Sequence, residues 1–98
     1  MQITKLIDRD PFFYDKDTVT TIAVGQLDAT YVLTAQAVYL TVEDNNIRYR
    51  IDGGDPDAND GHLVYAGQNI YLASPKAIRN FRMIAIGGNA VVIATFYR

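Results

Sequence analysis

Residues 38–51, VYLTVEDNNIRYRI, decide the reading of the fold. Val38, Leu40 and Val42 alternate with Tyr39, Thr41 and Glu43. After Asp44 and Asn45 the alternation resumes, with Ile47, Tyr49 and Ile51 set against Arg48 and Arg50. A period of two sends successive side chains to opposite faces of an extended chain, so each run predicts a β-strand with one apolar face. Asp and Asn tolerate positive φ, and Asp44-Asn45 therefore predicts a two-residue turn that closes a hairpin. In that register Val42 opposes Ile47, Leu40 opposes Tyr49 and Val38 opposes Ile51, with all six on one face. A slip of one residue would set Arg48 and Arg50 against the apolar set, so the pattern specifies the register.

Residues 81–97, FRMIAIGGNAVVIATFY, predict a second hairpin with its turn at Gly88-Asn89. Ile86 then opposes Val91, and Ile84 opposes Ile93. The other face holds Phe81, Met83, Ala85, Val92, Ala94 and Phe96. Strands apolar on both faces are covered on both faces, and in so small a domain the second cover is expected from another subunit. A helix competes upstream. Ser74 suits an N-cap, Pro75 the first helical position and Gly87 a stop. A single helical turn at residues 74–77 leading into a strand satisfies both signals.

Weaker strand signals lie at residues 18–24 and 31–33. Residues 62–65 and 70–73 flank Ala66-Gly67-Gln68-Asn69, a third hairpin-like punctuation. Residues 2–7 read as an edge strand. Residues 8–17, DRDPFFYDKD, set three aromatics among charges and read as an arm or long loop. The sum is seven or eight short strands in one domain spanning 1–98, an all-β antiparallel sandwich or barrel.

Composition removes several function classes. The 98 residues include no Cys, one His and one Ser, which excludes disulfides, Cys-ligated metals and a Cys nucleophile. Nine Lys+Arg against eleven Asp+Glu leave a net charge of −2, which argues against nucleic acid as a partner. No run approaches the roughly 18 to 20 apolar residues of a membrane span. Residues 1–7 lack the apolar run of a secretory signal, so cytoplasmic synthesis is expected.

The most polar stretch is residues 52–61, DGGDPDANDG. Asp55, Asp57 and Asn59 fall at positions 1, 3 and 5 of a calcium-loop pattern. Position 6 is Asp60 in place of Gly, and position 12 is Ala66 in place of Glu. The simpler reading is a solvated turn loop. Calcium bound by Asp55, Asp57, Asn59 and Asp60 in another geometry is the alternative. Arg48, Arg50, Arg79 and Arg82 suggest either a basic patch on outward faces or cations paired with Glu43 and nearby Asp residues. His62 reads as a strand-entry residue. Ser74 lies in no nucleophile-elbow context. Neither glycine pair has phosphate-binding form. No catalytic constellation and no cofactor are expected. Phe12, Phe13 and Tyr14 read equally as a cover for one open end of the sandwich and as an arm that docks on a neighbouring subunit.

The strand NNIRYRIDG (45–53), the polar loop after it, GHLVYAGQNIYL (61–72) and AIRNFRMIAIGGNAVVIATFY (77–97) occur in an order similar to that of a known group. The chain resembles, over about residues 38–98, small β-rich virion proteins encoded in the head and tail gene clusters of tailed bacteriophages. The resemblance implies a jelly-roll-like β-sandwich structural protein of the virion, assembled in the bacterial cytoplasm. For a chain of this size it implies a capsid decoration, or cement, protein without enzymatic activity. Such a protein binds the major capsid protein and itself, commonly as a trimer. Interface contacts are then expected from Phe12, Phe13 and Tyr14, with Arg79, Arg82 and Arg98 as polar contributors. A head–tail connector or tail component is the alternative within that class. A carbohydrate- or ligand-binding sandwich module, using surface tyrosines with or without calcium at the acidic loop, is the alternative outside it.

Overall fold

Strands form where the alternation predicts them, but their partners differ from the expected ones. The computed structural model describes residues 9–98, so the edge strand expected over residues 2–7 lies outside the described part. The strands are β1 (Pro11–Val19), β2 (Gly25–Gln26), β3 (Ala37–Glu43), β4 (Asn46–Arg50), β5 (His62–Val64), β6 (Asn69–Leu72), β7 (Arg82–Ile86) and β8 (Ala90–Tyr97). A 3₁₀ turn spans Tyr31–Leu33, and a short helix, α1, spans Pro75–Asn80. One antiparallel sheet has the order β1-β8-β3-β6 and the other β2-β7-β4-β5, four strands each.

Neither expected long hairpin forms. β3 pairs with β8 and β6, whereas β4 lies in the opposite sheet between β7 and β5. β7 and β8 are likewise divided between the sheets. The third punctuation, at residues 66–69, also falls between strands of opposite sheets, β5 and β6, with Asn69 already the first residue of β6. The physical reason is common to all three. A hairpin sets two apolar faces side by side, and an arch sets the same two faces against each other across the core. Val38, Leu40 and Ile47 are 0% exposed and Val42 1%, so the alternation is satisfied by the arch. Ile51, expected with them, is 38% exposed because β4 ends at Arg50. Asp44 adopts φ 74°, the positive φ expected of this turn, and the Asn45 side-chain amide donates to Asn89 O at 2.8 Å, tying two arches together.

Among the described strands only β4 and β5 are consecutive neighbours in one sheet, and residues 51–61 join them. Every other connection crosses between the sheets. This interleaved order of eight strands is the jelly-roll form of the β-sandwich. Its interior is fully apolar among the described residues, with Phe81 and Phe96 its largest members. Tyr49 stacks on Phe81, with ring centroids 5.3 Å apart.

The Ser-Pro signal yields a helix longer than the single turn expected. The Ser74 hydroxyl accepts the Ala77 N–H at 3.3 Å, Pro75 opens α1, and Ile78 is buried against the core. The chain is extended again at Phe81, whose buried ring commits the following residues to β7.

Residues 11–17 belong to no arm or loop. They form most of β1, an edge strand paired along its length with β8. A register shift between Pro11 and Phe13 marks a bulge. The extra residue lets two consecutive aromatics face the same way. Phe13 stacks on Tyr31 at 3.8 Å and meets Phe96 edge-on at 5.5 Å. Phe12 lies edge-on to Phe96 at 6.4 Å. Only Tyr14 turns outward, 61% exposed.

Candidate functional site

The two broad outer faces of the sandwich differ sharply in chemistry. Pairing fixes which residues share a face, because directly paired residues point to the same side. On the β1-β8-β3-β6 sheet, Tyr14, Thr95, Tyr39 and Tyr71 form one row across the strands. Lys16, Ile93, Thr41 and Asn69 form the next, and Thr18, Val91 and Glu43 the third. Tyr97 continues the face beyond Thr95. These residues are half-buried or exposed, in contrast to their inward neighbours. The result, among the described residues, is a face of tyrosines, threonines and aliphatics with two charges, Lys16 and Glu43. Tyr71 Oη is shut off from solvent without a hydrogen-bond partner among the described residues.

The other outer face is basic. Arg48 and Arg50 of β4 stand beside Ile84 and Arg82 of β7, and Leu63 of β5 pairs with Arg48. The acidic loop folds back over this face. Arg50 makes a bidentate ion pair with Asp52, with Nη2–Oδ2 2.6 Å and Nε–Oδ1 3.0 Å, and its Nη1 donates to Asp55 O at 3.3 Å. Asp60 lies 3.9 Å from the same guanidinium. Arg48 donates from Nη1 to Gly61 O at 2.9 Å and from Nε to Ala58 O at 3.1 Å. The hydrogen bond from Arg50, aided by the Gly54 N–H, lowers the Asp52 pKa from 3.8 to about 2.

The loop therefore closes around cations supplied by its own chain. Gly54 leaves room for the guanidinium, since a Cβ there would stand 2.6 Å from Arg50 Nη2. Gly61 has φ +124° and packs where a Cβ would meet Pro56 and Tyr49 O at 3.1 Å, so a side chain at that return would be both strained and crowded. The residues considered for calcium make turn contacts. Asp57 Oδ1 accepts Asn59 N–H at 2.8 Å, and Asp57 and Asp60 exchange backbone hydrogen bonds. Among the described residues no three His, Asp or Glu side chains are grouped to hold a metal ion. The arginines' partners are Asp52, Asp60 and loop carbonyls; no ion pair joins them to Glu43 among the described residues.

The residues expected at an interface are not gathered into one patch. Phe12 and Phe13 are taken up by the chain's own Phe96 and Tyr31, and Tyr14 alone joins an outer face. Arg98 lies over the Phe12 ring at 4.3 Å. Arg79 is exposed on α1, and Arg82 donates to the carbonyls of Arg79 and Phe81. Ile84 and Ile86 are half-buried on the basic face, and Val91 and Ile93 are half-buried on the tyrosine face. The apolar surplus of residues 81–97 thus faces opposite sides of the molecule, because β7 and β8 lie in different sheets.

Sequence reasoning missed the tyrosine face. Each tyrosine falls on the outward parity of its own strand, but only the pairing of distant strands aligns them. It also missed the Asp15–Asp17 pair on the inward side of β1. Burial, followed by a hydrogen bond and repulsion from Asp15 and repulsion from Asp28, pushes the Asp17 pKa up from 3.8 to about 6. Asp28 is itself held by the N–H groups of Thr30 and Tyr31 at the start of the 3₁₀ turn.

A shallow cleft of about 630 Å³ runs between the β5 and β6 edges, lined by Tyr49, Leu63, Gln68, Asn69 and Tyr71 among others. His62 packs on Tyr49 at 5.2 Å, and Ser74 is occupied as a helix cap. No helix among the described residues is long and apolar enough to cross a membrane. The chain matches no protein-family model, and comparison with curated proteins and with solved structures returned no match.

Proposed function

We propose that this chain is a non-enzymatic bacteriophage virion structural protein, a capsid decoration (cement) protein that oligomerises and stabilises the head shell. The observation that carries the proposal is the jelly-roll strand order. Jelly rolls build viral capsid domains among other things. The strand and loop order over residues 38–98 supplies the phage context by resemblance. A fold hosts many functions, so the reading rests on surfaces as well. The tyrosine face is broad and carries only two charges among the described residues, a composition suited to adhesion. In this role the protein works by burying apolar and aromatic area across subunit boundaries. Area of that kind contributes about 25 cal/mol per Å² before the cost of association. A head–tail connector or tail component would use the same chemistry at another place in the particle.

The test is binding of purified protein to expanded phage shells, read by co-sedimentation and by the shells' melting temperature. Saturable binding with a raised shell melting temperature is expected. Absence of binding to shells from the phage whose genome encodes the chain would overturn the proposal. A capsid, portal or terminase gene beside this one is the matching genomic expectation.

One observation favours a second reading, a carbohydrate-binding module. The cleft between β5 and β6 combines Tyr49 and Tyr71 with the amides of Gln68 and Asn69, groups that stack on and hydrogen-bond to sugar rings. Glycan-array binding lost in Tyr71→Ala would select it.

A further inference from the structure

The tyrosine face has an internal symmetry that points to its occupant. β8 is the middle of three strands, with β1 on one side and β3 on the other. Register places Tyr14 and Tyr39 on either side of Thr95, Lys16 and Thr41 on either side of Ile93, and Thr18 and Glu43 on either side of Val91. A two-fold axis lying in the contact plane along β8 exchanges the β1 and β3 sides. A second copy turned about that axis sets Ile93 on Ile93 and Val91 on Val91. It sets Tyr14 of each copy on Tyr39 of the other. Lys16 then faces Thr41 of the other copy, one pleat repeat (about 7 Å) from its Glu43, within reach of a lysine side chain. The two charges on this face are of opposite sign, and both are satisfied by the same rotation. Such an isologous contact needs only self-complementarity.

We infer that the outer face of the β1-β8-β3-β6 sheet pairs two copies of this chain about a two-fold axis along β8. The pair deepens the oligomer-forming part of the proposed function and rests on it. It also replaces the trimer implied by the phage resemblance. Sheets stacked this way pack aligned, as in the sandwich itself. Three strands spaced about 4.8 Å apart, with β8 eight residues long at about 3.4 Å per residue, give a footprint of roughly 400 Å² per copy. A total on the order of 800 Å² belongs to weak, concentration-dependent pairs.

Solution mass by sedimentation equilibrium, over roughly micromolar to millimolar protein, reads the association, with circular dichroism confirming each variant's fold. The wild-type chain should pass from monomer to dimer in that range. Lys16→Glu alone should weaken the pair about tenfold, a change of about 1.4 kcal/mol. Glu43→Lys alone should do the same, and the double reversal should return the affinity to near the wild-type value. Ile93→Lys, which brings two like charges together on the axis, should leave a monomer. A wild-type monomer at the highest concentration, a trimer, or a double reversal no better than the singles overturns the pairing. Shell binding is a separate measurement. A folded monomer that still coats shells refutes the pair alone, and a dimer that ignores shells refutes the decoration role alone.

Discussion

Replacing Asp17 with Asn should remove a pH dependence that β1 imposes on the stability of the fold. The Asp17 carboxyl sits on the inward side of the edge strand, and its pKa is pushed up to about 6 by burial, by a hydrogen bond and repulsion from Asp15, and by repulsion from Asp28. The folded protein therefore favours the neutral acid. This contribution is complete below the unfolded value of 3.8 and is lost as pH rises through about 6. The rise of about two units corresponds to about 3 kcal/mol without screening. Asp17 is partly exposed, and solvent screening reduces the expected effect to about 1 kcal/mol.

Asn is neutral at every pH and keeps the hydrogen-bonding capacity of the protonated acid. Urea unfolding at pH 4.5 and 7.5 measures the effect, followed by tyrosine emission because the chain has no Trp. The difference between variant and wild type isolates this site from the other titrating carboxylates. The two proteins should differ least at pH 4.5. At pH 7.5 the variant should be the more stable by about 1 kcal/mol. Asp52 acts with the opposite sign. Its pKa is lowered to about 2, so its contribution is present above 3.8 and lost as pH falls toward 2, below the window used. A wild type minus variant difference that is the same at both pH values would refute the reasoning. So would a variant that is the less stable of the two at pH 7.5.

Four further outcomes follow from the fold. Ser74→Ala removes the cap of α1 and should cost about 1 kcal/mol in urea unfolding. Ile47→Ala, at a position 0% exposed, should cost about 2–5 kcal/mol and bring a domain of this size close to unfolding. Asp44→Gly relieves a residue held at φ 74° and should raise stability by up to about 1 kcal/mol, whereas Asp44→Ala should lower it. Arg50→Ala releases the cation that holds Asp52 and the Asp55 carbonyl. Limited proteolysis should then cut within residues 52–61 faster than in wild type, while added Ca²⁺ leaves the wild-type melting temperature unchanged.

The alternation over residues 38–51 and 81–97 was sufficient to locate β3, β4, β7 and β8 and to name the inward Val38, Leu40, Val42 and Ile47, but it placed the exposed Ile51 with them and left the two faces of β7 and β8 undistinguished. It was silent on pairing, because Val42 and Ile47 share a buried side in a hairpin and in an arch alike. The two-residue turns favoured the local answer. The long-range answer won because it gives each of these four strands partners on both edges while each faces an apolar sheet. The bulge that turns Phe12 and Phe13 to the same side leaves no periodic trace, and for that reason β1 read as an arm. The acidic loop was visible as a turn segment. Its closure by Arg48 and Arg50 was one of two readings of those arginines. The tyrosine row was out of reach of any local pattern, since Tyr14, Tyr39 and Tyr71 meet only through β8 and the pairing of β3 with β6.

The placing of β8 between β1 and β3 also orders events in time. β1 and β3 leave the ribosome well before β8, and neither has its central partner until β8 arrives. Closing such long loops is slow, and strand topologies of this type fold in milliseconds to seconds. Among the described strands the β4–β5 hairpin is the one pair that neighbours can form early. Until the last strand docks, the edges of β1 and β3 that β8 will pair stay open to any other chain nearby. Asp15, Lys16 and Asp17 on β1 place charge along one of them, which discourages wrong partners during that wait.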